Sequence, residues 1–241
     1  MRYNLKMKFT AVAFDLDGTL YPTYRLNIRL GPFILKDYRL LSAMDKARKR
    51  LRKHGGSDGG CYKDFEGDFY DLQAKLMGET LNMPAVKVKE MTERLIYRGW
   101  EPLFKKIRLF SHVRETLQTF QQKGIKLGLL SDFPPEIKLK NLGINDFWQV
   151  VLSSEQTGYL KPDPTPFLEL AKRMETPPEQ ILYVGNSVPY DIQGAHNAGM
   201  KAALIQPAWK KRSLSSPAGE SAVRPDFAFY DYRQLCDYVI N

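Results

Sequence analysis

The chain has 241 residues, enough for one large α/β domain or a core domain carrying a smaller insert. Hydrophobic residues make up 43% and aromatic residues 12%, which excludes wholesale disorder. The formal charge of +9 suits anionic partners (phosphorylated metabolites, nucleic acid, an acidic membrane surface) and equally suits plain solubility.

The first element is an apolar run at 9–14, Phe-Thr-Ala-Val-Ala-Phe, which reads as a buried parallel strand ending at Asp15. Arg2, Lys6 and Lys8 precede it, but Asp15 and Asp17 interrupt the apolar stretch. No segment reaches ~18 uncharged apolar residues, so neither a transmembrane helix nor a signal peptide is expected. The two cysteines, Cys61 and Cys236, match no zinc or disulfide spacing. A reduced, cytoplasmic setting is the default.

From 22 to 105 the pattern is helical. Ile34, Tyr38, Leu41 and Leu51, with Ala47 near them, define one apolar face; Phe65, Phe69, Leu72 and Leu76 a second; Val88, Met91 and Leu95 a third. A glycine-rich loop at 55–60 separates the first two. This insert carries 17 Lys and Arg against 11 Asp and Glu, so net +6 of the total sits on it. Its densest run comprises Lys46, Arg48, Lys49, Arg50, Arg52 and Lys53. These cations form either an electropositive lid or, since they lie off the apolar face, the solvated side of an amphipathic helix.

After the insert, short apolar runs recur at 126–130, 150–152, 181–184 and 202–205. Helical patterns at 113–123, 164–173 and 191–198 alternate with them, and Gly124 and Gly199 stand where helix C-caps belong. Such alternation predicts a doubly wound parallel sheet with its ligand crevice at the carboxyl ends of the strands. The stretch 213–224, rich in Ser, Pro and Gly, reads as a surface loop.

Polar residues follow the predicted strands. Asp15-Leu16-Asp17-Gly18-Thr19-Leu20 comes first; at i and i+2 of an extended segment its two carboxylates share one side. They repel unless a proton or a hard cation such as Mg²⁺ relieves them. An acidic loop with an ordinary Asp-Gly turn is the plainer alternative. Leu129-Leu130-Ser131-Asp132 offers a hydroxyl and backbone N–H groups to a phosphate oxygen, or merely a turn. In Lys161-Pro162-Asp163-Pro164 the prolines stiffen the chain and aim one ammonium, into the crevice or into solvent. Val184-Gly185-Asn186-Ser187 leads to Asp191, either a metal-orienting acid or a helix N-cap.

These four elements, in this order and each after a predicted strand, resemble the haloacid dehalogenase superfamily, and the insert lies where that family carries its type-1 cap. The resemblance implies an α/β Rossmann-like core at 1–21 and 106–241 with a helical cap at 22–105. It further implies a phosphatase that transfers phosphoryl to Asp15, with Asp17 as general acid and then base. Ser131, Asp132 and Lys161 would bind phosphate, and Asp15, Asp17, Asn186 and Asp191 would surround Mg²⁺. Two positions depart from the family's pattern: Asn186 replaces a common acid, and Asp132 stands where Asn is frequent. Which of Asn186 and Asp191 is the direct metal ligand stays open.

The expected substrate is a small phosphorylated metabolite, with Arg25 and Arg29 as weaker substrate contacts; no membrane and no nucleic acid are expected, and no oligomeric state can be read. Dehalogenase or phosphomutase chemistry is the alternative within the family, though dehalogenases lack an acid at the position of Asp17. A weakly catalytic module whose basic cap binds nucleic acid or a partner is the alternative outside it. His54, His112 and His196 have no ligand spacing. Trp100 and Trp148 are expected to pack at the domain boundary and in the core.

Overall fold

The computed structural model describes residues 8–54, 65–206 and 223–241. Arg2, Lys6, Cys61, the glycine-rich stretch 55–60 and residues 213–222 of the polar tail lie outside them.

Six strands form one all-parallel sheet in the order β3-β2-β1-β4-β5-β6. They are β1 Ala11–Phe14, β2 Lys126–Ser131, β3 Val150–Ser153, β4 Ile181–Gly185, β5 Lys201–Ile205 and β6 Phe227–Phe229. Alternation of side chains splits the strands between two cores. Val12, Phe14, Leu127, Leu129, Leu182 and Val184 pack on one face; Ala11, Ala13, Leu130, Ile181 and Tyr183 pack on the other. Each such fully buried Leu, Ile or Phe contributes on the order of 2 kcal/mol. This two-sided burial is why the strands read as continuous apolar runs rather than alternating ones.

Helices cover both faces: α5 Val113–Gln122, α6 Glu136–Leu142, α7 Pro164–Arg173, α8 Gln193–Asn197 and α9 Tyr232–Ile240. Gly124 and Gly199 end α5 and α8 with positive φ, as expected of C-capping glycines. A five-residue π-helical turn, Val188–Ile192, precedes α8, so the helix expected over 191–198 begins in that turn. Strand β6 and helices α6 and α9 were not foreseen.

Between β1 and β2 the chain forms α1 Thr23–His54, α2 Phe69–Leu81, α3 Ala85–Thr92 and α4 Glu101–Phe104, with a π-helical turn Glu93–Tyr97 after α3. The second and third predicted apolar faces meet in one cluster with α1. The first face needs correction. Ile34 and Tyr38 are 42% and 62% exposed, and the apolar residues buried after Asp37 are Leu40, Ala43, Met44, Ala47 and Leu51. The cause is a break at Asp37 (φ −114°, ψ 24°), which shifts the helical phase between the two halves of α1. Leu26 and Leu30, before the break, pack on the sheet's core, while the residues after it pack with α2 and α3. Trp100 packs against both clusters, and Trp148 meets Phe14 edge-on in the sheet's core.

Candidate active site

Register explains the convergence of the polar residues. Phe14 pairs with Leu129 on one side and Val184 on the other, so the chain leaves β1, β2 and β4 at one level of one sheet edge. Asp15 starts that edge. It is buried, its N–H donating to the Val184 carbonyl at 2.9 Å. Lys161 Nζ donates to Asp15 Oδ1 at 2.7 Å and to Asp191 Oδ1 at 2.8 Å. Its ammonium is also 3.2 Å from the Tyr183 hydroxyl, which in turn donates to the Leu130 carbonyl at 3.1 Å. The Lys161–Pro162 peptide bond is cis.

Burial and neighbouring charges shift the titration of both Lys161 and Asp15. Burial pulls the Lys161 ammonium toward deprotonation, but Asp15 and Asp191 outweigh it and hold its pKa well above the ordinary lysine value. Asp15 is pushed up to about 7, first by burial and then by the neighbouring Asp191 and Asp17, against the pull of Lys161. Buried Asp15 and Asp191 share the single Lys161 ammonium, and Asp17 beside them is paired with Lys138, so three carboxylates face two ammoniums, a shortage of positive charge that favours a divalent cation.

Asp191 is held from below. Its Oδ2 accepts the N–H groups of Asn186 and Ser187, both at 3.0 Å, and its Oδ1 is taken by Lys161. This close fit needs Gly185: a Cβ there would lie 2.2 Å from Asp191 Cβ and 2.6 Å from Oδ2. Asn186 faces the other way. Its Oδ1 lies 3.5 Å from the Thr19 hydroxyl, which donates to Asp15 Oδ2 at 2.7 Å. Gly18 makes room for this amide; it sits at φ +92°, and a Cβ would meet Asn186 Nδ2 at 2.2 Å.

Asp17 is partly exposed and gripped at both oxygens. Tyr21 donates to Oδ1 in a short hydrogen bond, and Lys138 Nζ lies 2.6 Å from Oδ2. Asp17 and Lys138 both line a cavity of about 1230 Å³ between α1, the π-helical turn after α3, and α6.

Ser131 is fully buried, and its Oγ accepts the Phe133 N–H at 3.3 Å. The expectation that the Asp132 side chain binds phosphate fits its surroundings poorly. That carboxylate takes Arg52 at 2.7 Å, the Ser154 hydroxyl at 2.7 Å and the Lys161 N–H at 3.4 Å. Burial raises its pKa, but Lys161, Arg48 and Arg52 more than offset this and hold it at about 2, so it is an anion already matched by cations.

The basic run of α1 also departs from the solvated-face reading at two positions. Arg48 is only 4% exposed; it pairs with the buried Glu155 and donates to the Asp132 carbonyl at 2.7 Å. Arg52 Nε donates to the Lys161 carbonyl at 3.0 Å. Lys49 and Arg50 do face solvent, in exposed pairs with Asp45 and Glu79. Arg25 donates to the Tyr24 hydroxyl at 3.2 Å, and among the described residues neither Arg25 nor Arg29 hydrogen-bonds to a site carboxylate. His196 pairs with Asp226 at the surface.

Sequence reasoning missed Lys138, Tyr21, Tyr183 and Glu155 as parts of the site. Only Tyr21 carried a signal, lying four residues beyond Asp17 within the same turn.

Fold and site together define a class that the comparisons name. The chain belongs to the haloacid dehalogenase-like hydrolase family, whose match runs over residues 12–205. The glyceraldehyde 3-phosphate phosphatase of Methanothermobacter thermautotrophicus is 32% identical over 201 residues, covering 81% of this chain and 84% of that protein. A phosphoglycolate phosphatase of Haemophilus influenzae is 29% identical over 237 residues, covering 96% and 98%. A 2-haloacid dehalogenase of Pseudomonas syringae pv. Tomato superposes with a TM-score of 0.62 over 95% of this chain and 97% of its own, at 22% identity, a likeness of fold alone. Among the described residues no helix is long and apolar enough to cross a membrane.

Proposed function

We propose that the chain is a Mg²⁺-dependent phosphomonoesterase that works through an aspartyl-phosphate on Asp15, with the helices at 22–105 serving as its cap over a core formed by 1–21 and 106–241. The observation that carries this reading is the Lys161 ammonium bridging Asp15 and Asp191, with Asp17 two residues along at the mouth of a cavity.

In the first half-reaction a carboxylate oxygen of Asp15 forms a bond to phosphorus while the ester P–O bond breaks. Asp17 gives its proton to the departing alkoxide, and Lys138 and Tyr21 hold it in place. Lys161 and Ser131 neutralise charge on the phosphoryl oxygens. In the second half-reaction Asp17, now ionised, takes a proton from water as its oxygen bonds to phosphorus and the Asp15–P bond breaks, releasing phosphate and restoring Asp15.

The oxygen donors suit Mg²⁺. Asp15 Oδ2 and Asn186 Oδ1 flank the same Thr19 hydroxyl, and the Asp17 carbonyl is the family's third donor. Both Asp191 oxygens are already engaged, so Asn186 is the better direct ligand and Asp191 the residue that positions Lys161. The ion would supply positive charge between the nucleophile and the phosphoryl oxygens.

Phosphate release from p-nitrophenyl phosphate is expected to require Mg²⁺ and to stop with EDTA, and Mg²⁺ is expected to raise Tm in the wild type but not in Asn186→Ala. Turnover undiminished by EDTA would overturn the metal assignment. Gly185→Ala, which drives a methyl group into Asp191, is expected to lower kcat/KM roughly 100-fold, the scale set by displacing a positioned group by about 1 Å. An unchanged kcat/KM would show that Asp191 does not position Lys161.

The alternatives have less support. Asp17 stands where dehalogenases have no acid, and Arg48 and Arg52 are spent inside the molecule rather than presented to nucleic acid.

A further inference from the structure

Phosphatases acting on two- or three-carbon phosphates need to enclose a leaving group of on the order of 100 Å³, a few water volumes. The cavity at Asp17 encloses about 1230 Å³. Its wall is built largely from apolar side chains, among them Leu30, Ile34, Ile96, Trp100, Phe133 and Ile137. Asp17, the group read above as the proton donor to the leaving oxygen, lies in that wall, whereas Asp15 does not. The leaving group therefore extends from Asp17 into the cavity, while the phosphoryl group stays with Asp15 and Lys161.

The charges of the wall exclude one class of leaving group. Although the helices at 22–105 carry most of the chain's positive excess, among the described residues three cations line the cavity, and each is matched by a carboxylate. Lys138 is paired with Asp17, Lys89 with Asp71 and Arg98 with Glu93. Glu90, Glu101 and Glu136 add further negative charge to the same wall. A second phosphate or a carboxylate on the substrate would meet a net acidic surface with its cations already engaged, a costly arrangement for an anion.

We infer that the substrate is a phosphate monoester of a bulky, predominantly apolar alcohol, such as a long alkyl or fused-ring alcohol, and not a small phosphorylated acid. The inference rests on the phosphatase reading and adds its substrate class.

The test is phosphate release in Mg²⁺ from a series of n-alkyl phosphates from ethyl to octyl, with naphthyl phosphate, phosphoglycolate, glyceraldehyde 3-phosphate and p-nitrophenyl phosphate alongside. kcat/KM is expected to climb about two- to fourfold per methylene, as burial of each CH₂ predicts, and to exceed that for phosphoglycolate. Ile34→Asp and Ile137→Asp, at positions 42% and 44% exposed and so free of core packing, are expected to flatten the climb. A flat series, a preference for phosphoglycolate, or a slope untouched by both variants overturns the inference while p-nitrophenyl phosphate turnover leaves the phosphatase reading standing. Hydrolysis of none of these esters removes both.

Discussion

Asp15→Asn is expected to reduce Mg²⁺-dependent phosphomonoester hydrolysis by about 10⁴-fold or more, the usual scale for loss of a covalent nucleophile. The variant isolates chemistry from folding. Asparagine preserves the shape of the side chain and can still accept from Thr19, and Lys161 keeps its pair with Asp191. The carboxylate it removes is one whose ionisation burial opposes, with a pKa pushed up to about 7. Thermal unfolding should therefore shift little while phosphate release vanishes. Retention of more than about 1% of wild-type kcat would place the nucleophile elsewhere, because a neutral amide cannot form the acyl phosphate.

Arg48→Ala is expected to cost about 3–5 kcal/mol of stability, the range for removing one partner of a buried ion pair. Glu155, the partner, is buried and keeps the Tyr97 hydroxyl at 2.8 Å. Burial raises the Glu155 pKa even with Arg48 present, so without it the carboxyl is driven further toward its neutral form. The sign follows from linkage. A folded state that holds a proton more tightly than the unfolded one loses stability as pH rises, so the deficit should widen once pH passes the wild type's own Glu155 value, itself raised above the ordinary 4.5. Urea unfolding at several pH values would show this. Arg48→Met combined with Glu155→Leu should recover most of the loss, since the apolar pair carries no stranded charge. A loss below about 1 kcal/mol for Arg48→Ala would class the pair with ordinary surface bridges.

Much of the sheet and the heart of the site could be read from the chain because their signals are contiguous. Residues 9–14 and the strands that follow are buried on both faces, so composition alone betrays them. Asp15 and Ser131 stand at the ends of such runs, and Lys161 and Asp191 lie in the segments that follow theirs. What escaped was set by long-range packing. Lys138 reaches Asp17 across 121 positions, and Arg48 reaches Glu155 across 107, distances over which no periodicity carries information. The phase of α1 was misread because one helical period was carried through Asp37, where the backbone leaves helical geometry. β6 is three residues long and lies beyond a polar tail, too short for a run of hydrophobicity to register. The volume of the cavity was not legible either, because it arises from how helices meet, not from any one of them.

The break at Asp37 makes α1 a jointed lever. Its first half is rooted beside the sheet through Leu26 and Leu30, and its second half travels with α2 and α3. Any swing of the outer arm must bend at that joint and must strip Arg48 and Arg52 from Glu155, Asp132 and the Lys161 carbonyl. Those contacts lie in the same segments as Ser131 and Lys161, the side chains proposed to bind the phosphoryl group, so a bend at the joint would disturb both. Product escape and the slackening of Lys161 would then share a single barrier.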